Sequence, residues 1–175
     1  MGGIFALKVC VYAICKNESQ FVDRFMDSMS EADYVCVLDT GSSDDTVKKL
    51  RARGAILGET VVSPWRFDTA RNESLGLIPA DADICCAIDL DEQFHPGWRA
   101  VLERAWQPDT TRARYRYTWS FLPDGSEGMV FWADKIHKNG CYRWASPVHE
   151  TLAYTGEGAE RFVDAAGVQL DHHPD

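Results

Sequence analysis

Four short apolar runs, each followed by a polar turn, recur through the first half of this 175-residue chain: LKVCVYAI at 7–14, YVCVL at 34–38, TVV at 60–62 and ICCAI at 84–88. Runs of that length, rich in β-branched residues, read as buried strands. The stretches between them have helical spacing. In ESQFVDRFMDSM the apolar residues Phe21, Val22, Phe25, Met26 and Met29 line one helical face. Asp44 and Asp45 open a second helix with acids in its first turn, and Gly54 suits its carboxyl-terminal cap. A third helix is predicted over 69–77, ahead of Pro79. The order β-α-β-α-β-α-β implies an α/β fold, a mostly parallel sheet with helices on both faces.

The second half changes character. Pro96 starts a helix that runs through Trp106. From Arg112 to Phe121 the chain alternates: Ala113, Tyr115, Tyr117, Trp119 and Phe121 face one way, and Arg112, Arg114 and Arg116 the other, a solvated strand face. Pro123-Asp124-Gly125 is a turn, 129–136 a return strand, and Lys138-Asn139-Gly140 a further turn, giving an antiparallel meander. With no repeat or linker, residues 1–175 read as a single domain.

Composition narrows the function. Hydrophobic residues at 45% and charged residues at 26% exclude disordered and fibrous classes. Eighteen basic against 27 acidic side chains give a net charge of −9, which argues against bulk binding to nucleic-acid backbones. The apolar amino terminus, broken by Lys8, is shorter than the ~20 residues a membrane span needs. It lacks a clear signal-peptide pattern, and Ala6 stands where a myristoylation signal has Ser or Thr. Six cysteines contain no C-x-x-C pair and read as reduced, buried thiols, which implies a cytoplasmic location.

In parallel α/β sheets, ligands bind at the carboxyl ends of the strands. Carboxylates stand at three such ends: Glu18 after the first strand, Asp39 after the second, and Asp89, Asp91 and Glu92 after the fourth. A D-x-D at a strand end places two carboxylates near one hard cation, and Mg²⁺ or Mn²⁺ lets diphosphate oxygens complete the shell. A solvated acidic turn is the alternative. The loop at 40–46 reads as a helix-capping turn, with Asp39 placed to bind a neutral base or ribose.

The segments AICKNES, VLDTGSSDDT, FDTARNESL and AIDLDE, in this order, resemble the signature of family 2 glycosyltransferases with the GT-A fold. DKIHKNGCYRWASPVHETL is similar to a segment of the subgroup that includes bacterial tetratricopeptide-linked and peptide S-glycosyltransferases, and LDHHPD to that subgroup's closing histidine motif. The resemblance covers about 7–173. It implies an inverting, metal-dependent transfer from a UDP-, GDP- or dTDP-sugar to a hydroxyl or thiol of a glycan, protein or other small acceptor.

On that resemblance, Ala13, Cys15, Glu18, Asp39, Arg71, Asp89 and Leu90 hold the nucleotide sugar. Asp91 and His172 bind Mn²⁺ or Mg²⁺, with His173 the alternative ligand and a tail outside the fold a further one. Glu150 is the general base and His149 its neighbour, either orienting it or touching the diphosphate. Trp144 lies near the acceptor, while most of Trp65, Trp98, Trp119 and Trp132 are expected in the core. The chain departs from the pattern at Asp45, where glycine is commoner, and at Pro174-Asp175, which replace an aromatic close. The absence of further helices implies a minimal form or a catalytic fragment.

Two rivals are weighed. A sugar-1-phosphate nucleotidyltransferase would need a glycine-rich basic loop where this chain has Cys15-Lys16-Asn17-Glu18. A noncatalytic nucleotide- or glycan-binding module would keep Asp39 and Arg71 but could lose Asp91 or Glu150, and both are present.

Overall fold

Every residue of β1 (Val9–Cys15) is buried, and its two faces feed two different cores. Val9, Val11, Ala13 and Cys15 point into the larger one, while Cys10 and Tyr12 point into a second on the opposite side. This is the period-two consequence of a strand covered on both faces. The computed structural model describes residues 7–174. The start of the apolar amino-terminal segment, with Ala6, and the terminal Asp175 lie outside the described residues.

The first half follows the predicted alternation: α1 (Val22–Ser28), β2 (Tyr34–Asp39), α2 (Thr46–Ala52), β3 (Ile56–Glu59), α3 (Phe67–Leu75) and β4 (Ile84–Ala87). Gly54, just past α2, has φ +83°, the left-handed conformation that lets a helix end in a tight turn. Two boundaries moved. The third strand pairs Ile56–Glu59 with β2, not 60–62, so the β-branched run that follows becomes loop. The third helix starts at Phe67, two residues before its predicted start at Thr69.

The second half contains β5 (Glu92–Phe94), α4 (Trp98–Ala105), β6 (Arg112–Thr118), β7 (Val130–Lys138), β8 (Tyr142–Ala145), β9 (Thr151–Tyr154) and β10 (Phe162–His172). Eight strands form one sheet in the order β3-β2-β1-β4-β7-β6-β10-β5, and β8 and β9 form a separate hairpin. Strands β3, β2, β1 and β4 are parallel, and β7 is antiparallel to both β4 and β6. The carboxyl-terminal strand departs from a plain meander, because β10 inserts parallel to β6 and antiparallel to β5.

Helices cover both faces. Phe25 and Met26 of α1, Leu50 of α2 and Trp98 and Leu102 of α4 pack into the larger core. On the other face α3 and the β8–β9 hairpin pack against β1 and β4. Each fully buried Leu or Phe contributes about 1.5–3 kcal/mol. The six cysteines are free thiols, and burial pushes Cys85 up to about 12, as expected for an unreactive structural thiol. The arginines of β6 are paired rather than merely solvated: buried Arg112 with Asp134 and Glu160, Arg114 with Asp164, Arg116 with Glu127. Among the described residues no helix is long and apolar enough to cross a membrane.

Candidate functional site

Strand order reverses at β1: the chain moves from β1 outward to β3, then returns to place β4 on its other side. A crevice opens at such a switch point, at the carboxyl ends of the two central strands. Here it receives Cys15, Lys16 and Glu18 after β1 and Asp89 and Asp91 after β4. Two clefts meet there. The first, about 280 Å³, is walled by the β1 and β4 loops, Thr40, Arg71 and the aromatic pair Trp65 and Phe67. The second, about 300 Å³, lies between β6, β7 and β10 and includes Tyr117, Trp119, Phe131, Lys135 and His172. Asp89 and Asp91 belong to both.

Asp91 and His172 form the most telling contact. His172 Nε2 lies 3.1 Å from Asp91 Oδ2, and His172 Nδ1 lies 3.0 Å from the Trp119 carbonyl oxygen. A carbonyl only accepts, so Nδ1 carries the proton donated to it, and Nε2 faces the acceptor oxygen of Asp91. Two acceptors at that distance require a proton or a metal ion between them. The spacing suits adjacent ligands of an octahedral Mg²⁺ or Mn²⁺, about 3 Å apart for bonds of about 2.1 Å. The Trp119 carbonyl fixes the ring as outer partners of metal-bound histidines do. His173 stacks on Phe121, and its backbone N–H donates to the Asp91 carbonyl oxygen at 2.8 Å, so its side chain is the less suited of the two. Among the described residues no cluster of three or more His, Cys, Asp or Glu side chains converges. The donor set is therefore small and leaves positions open, which suits a hard cation shared with a diphosphate.

Arg71 of α3 is the second centre. Its side chain is 5% exposed, with Nε donating to Glu150 Oε1 at 2.6 Å and Nη2 to both Asp89 oxygens at 3.0 and 3.1 Å. Burial alone would lower the guanidinium pKa; Asp89 and Glu150 outweigh it and raise it. For Asp89 burial works against ionisation, and the Arg71 charge overcomes it, so its pKa is lowered. Asn72, next in the helix, clamps β8 through the Trp144 N–H (2.9 Å) and carbonyl (2.8 Å). The turn carrying Glu150 is tied to α3 by the Phe67 N–H, which donates to the Pro147 carbonyl at 3.1 Å. Ser146 and His149 in this turn have φ of 77° and 55°, a left-handed conformation that costs a side chain-bearing residue about 1–2 kcal/mol.

Several predicted residues sit elsewhere. Ala13 and Leu90 are wholly buried in the larger core, so their side chains line no cleft. Asp39 lies outside both clefts: its Oδ2 accepts the N–H groups of Gly41 and Ser42 at 2.9 Å and its Oδ1 the Ser42 hydroxyl, so it shapes the loop after β2. His149 is exposed, and Arg71, not His149, holds Glu150. Trp144 is 4% exposed and sits beneath Arg71, its ring 5.1 Å from the guanidinium carbon, so it offers no open face to an acceptor. Cys15, Glu18, Arg71, Asp89 and Asp91 line the first cleft, and His172 the second. Glu150 lines neither and reaches the site through Arg71.

Sequence reading missed Lys16, Thr40, Trp65 and Phe67 in the first cleft and Lys135 in the second. Of the tryptophans expected in the core, Trp98 is buried, whereas Trp65, Trp119 and Trp132 are 45%, 47% and 55% exposed. Pro64 just before Trp65 was the available signal that this aromatic sits in loop rather than strand.

Burial, with Asp89 beside them, pushes Glu18 and Glu92 up to about 7. Buried His137 behaves oppositely, its pKa pulled down to about 4 chiefly by burial. Its neutral-ring contribution to stability is therefore complete above its ordinary value of about 6.5 and lost as pH falls through about 4. The raised glutamates have the reverse sign: their contribution is complete below about 4.3 and lost as pH rises through about 7. These effects offset one another in a global unfolding curve. A histidine-resolved NMR titration isolates His137, with an expected midpoint near pH 4; a midpoint above about 6 would show that the ring is not held neutral.

No protein-family model matches the chain. Among solved structures it is similar to glucosyl-3-phosphoglycerate synthase from Mycobacterium tuberculosis in complex with Mn²⁺, UDP and glucosyl-3-phosphoglycerate, with a TM-score of 0.52 and 25% identity. The match covers 64% of this chain and 44% of that one. The same enzyme has been solved with Mn²⁺ and UDP-glucose and with Mg²⁺ and UDP. The fold is the GT-A fold. Mannosyl-3-phosphoglycerate synthase from Rubrobacter xylanophilus shares it, with a TM-score of 0.53 and 20% identity over 64% of this chain and 40% of that one. The matched part of the chain thus spans less than half the length of these structures.

Proposed function

We propose that the chain is a metal-dependent, inverting glycosyltransferase that moves a sugar from a nucleoside-diphosphate sugar to an acceptor hydroxyl or thiol. The observation carrying this reading is the Asp91–His172 pair, which needs a cation or proton between its two acceptor atoms and stands where two clefts meet. Similarity to GT-A enzymes solved with UDP and Mn²⁺ or Mg²⁺ supports it. Asp91 and His172 hold the cation, which when bound neutralises charge developing on the leaving diphosphate. The first cleft takes the nucleotide, with Trp65 and Phe67 toward the base and Arg71 toward the charged end.

Glu150 is assigned the base on the resemblance of its segment, and Glu18, which lines the first cleft, stays with the nucleotide sugar. Asp91 is taken by the cation, Asp89 by Arg71, and Glu92 by the Tyr117 hydroxyl (2.6 Å) and the Asp89 N–H (2.8 Å). Glu150 Oε1 is engaged by Arg71, and among the described residues no donor holds its Oε2. That oxygen takes the acceptor proton as the nucleophile attacks the anomeric carbon opposite the leaving diphosphate. Resemblance of the Val148-His149-Glu150 segment to the tetratricopeptide-linked and peptide S-glycosyltransferase subgroup supports a protein or glycan acceptor.

A thermal-shift panel of UDP-, GDP- and dTDP-sugars with and without Mn²⁺, run beside Asp91→Ala, tests the reading. A donor at 100 times its Kd adds about 2.7 kcal/mol to stability. The expected result is stabilisation by one donor class that requires the metal and vanishes in Asp91→Ala. Stabilisation by no donor, or one indifferent to Asp91, would sink the transferase reading in favour of a noncatalytic module.

A further inference from the structure

A buried row of polar groups runs beneath Arg71, on the face of β1 away from the larger core. Trp144 Nε1 lies 3.0 Å from the Tyr12 hydroxyl oxygen, Tyr12 Oη lies 2.8 Å from His137 Nε2, and His137 Nδ1 lies 3.0 Å from the Lys138 carbonyl oxygen. Tyr12 and His137 are each about fully buried, and Trp144 nearly so. We infer that Tyr12 and His137 are positioning residues for the Arg71–Glu150 pair, acting through the indole of Trp144. The inference rests on the role given above to Arg71 and Glu150.

Every proton in the row is dictated by its neighbours. The indole N–H only donates and the carbonyl only accepts. Tyr12 oxygen therefore accepts from Trp144, and the Tyr12 proton points to His137 Nε2. His137 in turn carries its proton on Nδ1, directed to Lys138. This arrangement needs a neutral imidazole, and burial keeps the ring neutral. Reversal of any one bond would leave two donors or two acceptors facing each other in the interior, which is costly.

The row matters because of what lies on it. Trp144 is held at its ring nitrogen by Tyr12 and at its backbone by both ends of the Asn72 amide. Its face is then the floor on which the Arg71 guanidinium lies, 5.1 Å from the ring centroid. With that plane set, Nε meets Glu150 and Nη2 meets Asp89. Arginine has several rotatable bonds, and an indole floor free to tilt would let the fork leave one carboxylate. Glu150 rides on a turn with two left-handed non-glycine residues and relies on such outside contacts to stay in place.

Proton NMR of the side-chain N–H groups tests this without an acceptor. Arg71→Lys and Trp144→Phe assign the two signals in wild type. In Tyr12→Phe, the Trp144 indole N–H is expected to shift and the Arg71 Nε–H to exchange with water about tenfold faster, the size of one lost hydrogen bond. Arg99 Nε–H, which donates to Glu103 at 2.9 Å in α4, serves as control and keeps its rate. His137→Gln retains an acceptor for the Tyr12 proton and is expected to keep Arg71 slow, whereas His137→Leu loosens it. On the donor identified by thermal shift, Tyr12→Phe lowers kcat for donor cleavage about tenfold, and His137→Gln keeps it near wild type. An unchanged Arg71 rate in Tyr12→Phe, or Arg71 and Arg99 loosening together, overturns the inference. Failure of wild type to bind any donor would overturn the transferase reading instead, because the exchange rates are read without ligand.

Discussion

Glu150→Gln is expected to lower the turnover of a nucleotide-sugar donor by about 10²–10⁴-fold, the range for removal of a general base. Donor affinity stays close to wild type. The amide keeps the shape of the carboxylate, and its oxygen still accepts from Arg71 Nε, so the turn and guanidinium keep their places. What it loses is the capacity to take a proton. Release of nucleoside diphosphate, followed beside the thermal shift of each protein with donor and Mn²⁺, separates the two quantities. A parallel fall in donor affinity would mean that Glu150 serves to hold Arg71 and that the base lies elsewhere. The comparison is informative because Glu150 reaches the first cleft only through that arginine.

Arg71→Met should destabilise the fold by roughly 3 kcal/mol, the lower end of the range for breaking a buried ion pair. The lower end applies because Asp89 keeps 32% of its side-chain surface exposed, while Glu150 keeps 13%. Methionine fills much of the same volume and leaves two carboxylates facing each other without their shared cation. Arg71→Lys recovers only part of the loss, since one ammonium lacks the planar fork that reaches both acids. Adding Glu150→Leu to Arg71→Met should restore some stability by removing one stranded charge. Urea unfolding gives these differences directly. Equal stability for wild type and Arg71→Met would show that the two carboxylates do not depend on the guanidinium.

Much of the scaffold was readable from the chain. Buried strands alternating with amphipathic helices produce one parallel arrangement, and acids at strand ends fall at its open edge; hence Glu18, Asp89 and Asp91 line one cleft together with Arg71. The residues whose side chains lie outside the two clefts share a cause. A motif identifies a strand end without saying which side chains face the crevice. Ala13 and Leu90 turned inward, and Asp39 was consumed by the N–H groups of its own loop. His149 and Glu150 are adjacent, and the left-handed turn sends one to solvent and the other to Arg71. Trp144, Tyr12 and His137 come together across separations of 125 and 132 residues, beyond any local pattern. The parallel placement of β10 beside β6 is likewise a product of long-range packing.

That placement of β10 has a consequence for synthesis. Strand β5, made early, has β10 as its partner in the sheet, and Asp91, just before it, waits for His172, 81 residues downstream. A ribosome that has delivered everything up to residue 161 has supplied every residue that lines the first cleft, Asp91 included, but not His172. The protein thus acquires this candidate cation site only as β10 emerges, after the thiols, the parallel strands and the α3 ion pairs already have their sequence in hand.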